Sequence, residues 1–203
     1  MHRRVVAVRV LSKLRREGHE RGAAMVEMAI VAHLLVLLVF GTIEFGLLFQ
    51  EKLTIASATA SAARTGATMG TRDEADFAIL QALEAGLYDQ VDTSVLIRVD
   101  IFKANPVTGV KAGPVDRYTY IPTNVGCKWS PCPDTSLDGP VGSWLPADRD
   151  TVLEPSGGGL DVLGVEIEYR HTSATSIIPG IDRTFTERAL VRLEPDVFGT
   201  SSG

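Results

Sequence analysis

The apolar positions of this chain run together near one end and alternate with polar ones toward the other. From residue 28 to residue 43 sixteen consecutive positions carry no formal charge when His33 is neutral. Across the single carboxylates Glu27 and Glu44 the apolar stretch extends over residues 23–49, 27 residues in all. As a helix rising ~1.5 Å per residue it reaches roughly 40 Å, against a hydrocarbon core of about 30 Å. No later run approaches the length of a second span, so the pattern predicts one transmembrane helix.

Beyond it, residues 50–70 are dense in Ala and free of proline, which extends the helix out of the membrane. Small residues recur there at a spacing of four (Ala56/Ala60, Ser57/Ser61, Ala58/Ala62), which allows close helix packing. The packing surface is either a partner helix in an assembly or the chain's own sheet. Gly66 and Gly70 are expected to break or bend this helix. A second helix is predicted over residues 72–87, opened by a Thr71-x-x-Glu74 capping box, with Phe77, Leu80, Leu83 and Leu87 on its apolar face.

Period-two alternation then predicts strands. Over residues 94–103 Val95, Ile97, Val99 and Ile101 form one face and Leu96, Arg98, Asp100 and Phe102 the other. Residues 118–121 form a short strand, residues 160–171 a half-buried one built on Val165, Ile167 and Tyr169, and residues 184–193 the last. A loop rich in Pro, Gly, Asp and Ser fills residues 122–159, and residues 199–203 read as a loose tail. Helices first and antiparallel strands after them give an α+β extracytoplasmic domain over residues 71–198, carried by a single N-terminal transmembrane helix.

Charge places the ends. Residues 1–22 hold seven basic side chains (Arg3, Arg4, Arg9, Lys13, Arg15, Arg16 and Arg21) against Glu17 and Glu20. The rest of the 203-residue chain carries 13 basic and 23 acidic groups. A basic head before the span puts the N-terminus in the cytoplasm and the C-terminal domain outside, on the cytoplasmic (inner) membrane. The acidic body repels phosphate and argues against nucleic acid as a partner. An ordinary signal peptide has a shorter apolar core, although Ala56-Ser57-Ala58 offers a cleavage-like site after this one.

Glu27 opens the apolar helix at a cost of a few kcal/mol near the bilayer centre and less at its edge. It is either the first polar residue at headgroup level or a group with a partner and a task. Its context is Glu20-Arg21-Gly22-Ala23-Ala24-Met25-Val26-Glu27-Met28-Ala29. A basic leader, a Gly and a Glu five residues later resemble the processing site of type IV prepilins. The Arg-Gly-Ala-Ala-x-Val-Glu-Met-Ala wording resembles the TadE-like pseudopilins of tight-adherence (Flp) pilus systems. The stretch Arg188-Ala189-Leu190-Val191-Arg192-Leu193-Glu194-Pro195 is similar to the end of that family's outer domain.

The resemblance implies a prepilin peptidase that cuts between Gly22 and Ala23 and removes the 1–22 leader. It implies a minor pilin or pseudopilin role, with other pseudopilins, the pilus assembly platform and membrane lipid as partners, and the cell surface as a further location within a pilus. Ala23 and Glu27 are four apart, on one helix face, so a new ammonium and the carboxylate can pair between staggered neighbours. The rival reading is an unprocessed single-pass anchor carrying a binding or adhesion domain. His33 lies outside the family motif. It shares a face with Glu44 about 16 Å away, which leaves pairing between shifted helices or a neutral ring facing protein.

Cys127 and Cys132, the only cysteines, predict a disulfide, since outside the cytoplasm two cysteines in one loop oxidise and a zinc site lacks two further ligands nearby. Trp129 and Trp144 form either an exposed patch or local core. Asp134, Asp138, Asp148, Asp150 and Glu154 supply oxygen ligands for calcium without matching an EF-hand spacing. Gly157-Gly158-Gly159 lacks the setting of a phosphate loop. No nucleophile motif accompanies His171, the domain's single histidine, so the chain is read as no enzyme, with no metal, cofactor or small-molecule substrate.

Overall fold

A computed structural model describes residues 3–88, 90–133, 142–153, 159–173 and 183–195, with side chains from residue 22 onward. The architecture is α+β, as the alternation implies: a long N-terminal helix, a second helix and a five-stranded antiparallel sheet. The described residues divide between Gly46 and Leu47 into two compact units.

The first helix, α1 (Arg3–Met69), enters the second unit at Leu47 and packs there on its own sheet. Ile55, Ala58, Ala62, Ala63 and Ala67 are buried against it. Gly66 does not break the helix. It admits the side chains of Ile79 and Leu163, which lie 2.6 Å from where its Cβ would stand. The helix ends instead at Gly70, whose φ of +58° closes the last turn through an N–H bond to the Gly66 carbonyl.

Helix α2 (Ala75–Leu87) starts three residues later than the capping-box pattern suggests. Its N-cap is Glu74, whose side chain makes no capping bond. Its buried face is Asp76, Ile79, Leu80, Leu83 and Leu87, with Phe77 half-buried. A short turn (Thr93–Val95) leads into β1 (Leu96–Ala104), then β2 (Lys111–Tyr120), β3 (Trp129–Ser130), β4 (Val162–His171) and β5 (Arg183–Arg192). The spatial order is β3-β2-β1-β4-β5 with every pairing antiparallel.

Two readings of the strands change. A bulge between Leu96 and Arg98 turns Leu96 inward and leaves Ile97 half-buried, so the regular alternation starts only at Arg98. Strand β2 begins at Lys111, seven residues before the predicted strand: Lys111 pairs with Ala104 and Val115 with Phe102, and the Gly- and Pro-bearing residues between them form a bulge. Strand β3 lies within the predicted loop.

The two helices cover one sheet face, which contributes Val99, Ile101, Tyr118, Leu163, Val165 and Ile167 to the core. Leu193 seals the end of this layer, and the neighbouring Glu194 N–H bonds to the Ala67 carbonyl of α1. Beside the start of β5, Lys52 lies 3.4 Å from Glu187, and His171 Nδ1 lies 2.5 Å from Glu51.

Candidate functional site

Gly22 lies inside α1, exposed, and a Cβ placed on it meets nothing within 4 Å. Ala23 and Glu27 are exposed and stand one turn apart, about 6 Å along the axis. Every residue from 22 to 40 is exposed, including Met25, Met28, Ile30, Leu34, Leu35, Leu37 and Leu38. An apolar surface this long needs lipid or other helices around it. Among the described residues one helix is long and apolar enough to cross a membrane, and it falls within Gly22–Met69. That is consistent with a single-pass anchor.

His33 sits on an apolar strip with Val26, Ala29, Ile30, Leu34 and Leu37. Glu44 is buried, whereas Ile43 and Phe45 beside it are exposed.

In the second unit Cys127 and Cys132 are joined by a disulfide with Cα atoms 6.0 Å apart. The closed loop carries β3 and presses Trp129 inward. The Trp129 indole N–H donates to Glu84 Oε1 at 2.6 Å, and its ring meets the Tyr120 ring edge-on at 4.9 Å. Trp144 is buried under the Arg149 guanidinium, 4.8 Å from its ring. Both tryptophans are local core, not an exposed patch.

Arg149 ties its segment down by donating to Asp76 of α2, which also accepts from the Tyr118 hydroxyl at 2.7 Å. Burial, then the adjacent Asp76 carboxylate, pushes the Tyr118 hydroxyl well above its ordinary pKa. Asp116 accepts from the Ser143 and Trp144 backbone N–H groups, yet burial first and the Asp76 charge next hold its pKa above the usual carboxylate range. The signal for Asp76 was in the sequence: it falls in helical register with Leu80, Leu83 and Leu87, a carboxylate on an apolar face.

The sheet face turned away from the helices carries charges in cross-strand rows. One row reads Arg117, Asp100, Glu166 and Arg188 across β2, β1, β4 and β5. Asp100 accepts from Arg117 Nε at 2.8 Å and Nη2 at 3.0 Å, and the Lys111 ammonium bridges Asp100 and Glu166 at 2.7 Å each. Burial alone would raise Asp100, but the Arg117 and Lys111 bonds outweigh it and its pKa lies below the ordinary value. Glu166 follows the same balance, burial opposed by Lys111 and Arg188. In the next row Arg98 pairs with Glu168 at 2.6 Å.

Of the calcium candidates, Asp148 and Asp150 are exposed, and Asp150 caps its own turn through the Val152 N–H. Asp134, Asp138 and Glu154 lie outside the described residues, as do Gly157 and Gly158.

Residues 22–64 match the family model described as TadE-like protein. The match starts at Gly22 and takes in Glu27, the apolar span and most of the buried alanine face. It supports involvement in the tight-adherence pilus system, whose TadE-like members are assembly proteins. No curated protein and no solved structure matches the chain.

Proposed function

We propose that this chain is a TadE-like minor pilin or pseudopilin in the assembly of a tight-adherence (Flp) pilus. A prepilin peptidase cuts between Gly22 and Ala23 on the cytoplasmic side, and the outer domain faces its partners across the membrane. The observation that carries this reading is the family match beginning at Gly22, joined to a helix exposed at every position from 22 to 40. Sibling pseudopilins and the assembly platform then cover that helix together with lipid.

Leader removal converts the Ala23 nitrogen into a cation on the same face as Glu27. A correctly staggered neighbour pairs amine with carboxylate. A misplaced one leaves both charges facing hydrocarbon, which costs a few kcal/mol apiece and makes assembly register-dependent.

The test is the N-terminal sequence of the protein recovered from its own membranes. A start at Ala23 is expected. A start at Met1 identifies the unprocessed anchor, and one beyond residue 49 a secreted form. Because nothing among the described residues touches the Gly22 Cβ position, Gly22→Val reports on the peptidase and not on folding. It is expected to block cutting, and normal processing of that variant removes the proposed site. Glu27→Ala is expected to leave cutting intact and to reduce piliation, and wild-type piliation there removes its proposed pairing role.

A further inference from the structure

The outer sheet face holds six of the 13 cations found after residue 22: Arg98, Lys111, Arg117, Arg170, Arg188 and Arg192. Among the described residues only three carboxylates share it, Asp100, Glu166 and Glu168, and each of these is engaged by a cation on the same face. Asp100 is 1% exposed and Glu166 is half-buried, while Arg117, Arg170, Arg188 and Arg192 point into solvent. The anions are thus sunk into the sheet and the cations stand above them, so the face is positive on a strongly acidic body.

The opposite, helical side carries a complementary corner. Asp73 and Glu74 precede α2 and are exposed, as are Asp148 and Asp150. The two segments adjoin, since the Cβ position of Gly70 lies 3.4 Å from Thr151 Cγ2. We infer that the outer face of the sheet docks the acidic helical corner of a second copy of this chain. Both surfaces lie in the outer domain, so the contact goes beyond leader removal and needs no charge inside the membrane. Its two halves are different surfaces on opposite sides of one body. Such a head-to-tail contact repeats from copy to copy instead of closing as a twofold dimer. Charges of this kind set the encounter rate and orientation, which makes the contact sensitive to salt.

The experiment places a photo-crosslinking amino acid at Thr119, exposed in the Arg98 row, in the full chain in its own membranes. A product of twice the chain's mass is expected, with the crosslink mapping to peptides that contain Asp73 and Glu74 or Asp148 and Asp150. Arg170→Glu combined with Arg192→Glu changes two exposed residues, and thiol labelling verifies that the Cys127–Cys132 bond still forms. This variant is expected to lower the yield at least about fivefold, because opposed charges become like charges. A second copy carrying Asp73→Lys and Glu74→Lys is expected to restore it in trans. Products with lipid or with another protein alone, a yield indifferent to the reversal, a reversed pair that fails to rescue, or no product each overturn the inference.

Discussion

Phe102 lies across Gly164 because glycine has no Cβ to occupy the space between the strands. The ring is fully buried on the outer face of the sheet, with the Lys111 ammonium 5.1 Å and the Arg188 guanidinium 5.5 Å from its centroid. A Cβ at residue 164 would stand 2.3 Å from Phe102 Cζ and 2.4 Å from Cε2. The ring cannot swing away without exposing itself and losing both cations, so Gly164→Ala is expected to destabilise the domain by about 1–3 kcal/mol. Thermal unfolding of the full chain in detergent, followed by tryptophan fluorescence, measures this, since Trp129 and Trp144 are the only tryptophans and both are buried in the domain. Phe102→Leu placed in the same chain is expected to recover part of the loss. Strict additivity of the two substitutions would remove the steric account.

At the scale of the element, the outer half of α1 explains both what the pattern revealed and what it concealed. Of the three four-spaced pairs of small residues, Ala58 and Ala62 are buried against the chain's own domain, Ser57 and Ser61 are exposed, and Ala56 and Ala60 lie between. Spacing alone made these pairs equivalent. The chain's own domain chooses among them: Ala58 meets Gly86 of α2, whose Cβ position is 2.9 Å from the Ala58 Cβ. Ala62→Leu is therefore expected to lower stability by about 1–3 kcal/mol through overpacking. Ser61→Leu, one residue on, is expected to change it by less than about 0.5 kcal/mol. Equal effects in denaturant unfolding would mean that the buried face is misassigned.

The same contrast runs through the chain. Elements with a strong period were legible: the apolar span, the second helix, and the strands around Val99 and Ile167. What escaped was decided by partners distant in sequence. Strand β2 starts as early as Lys111 because that residue pairs with Ala104 of β1 across a bulge, although Lys111 to Pro114 have no strand-like pattern of their own. Strand β3 exists because the disulfide holds Trp129 against Tyr120 and Glu84. The charge rows needed the register of four strands before Asp100 and Glu166 could be seen as neighbours. Gly22, Ala23 and Glu27 are the opposite case: the reading of them rests on local wording alone, and the fold adds only that all three are exposed.

Over the whole molecule these charges act against one another as pH falls. Asp100 and Glu166 titrate below the ordinary carboxylate value of about 4 in the folded chain. Between that value and their lower folded ones, the unfolded chain takes up protons that the folded chain does not. The stability they supply is thus present above about pH 4 and is lost as pH falls through their folded pKa values. Asp116 works in reverse. Its folded pKa lies above the ordinary value, so the folded chain binds its proton first and gains stability as pH falls through that raised pKa toward about 4. A stability curve that rises slightly on mild acidification and then drops below about pH 4 is expected. Asp116→Asn should flatten the rise and leave the drop. Asp100→Asn leaves Arg117 and Lys111 around a neutral amide, so it is less stable than the parent at pH 7. That deficit should shrink toward about pH 2, where the parent's own carboxylate is protonated. Denaturant midpoints of the full chain in a nonionic detergent, taken from about pH 7 to about pH 2, read all three curves. A deficit for Asp100→Asn that stays constant with pH would mean that packing, not charge, holds the outer face together.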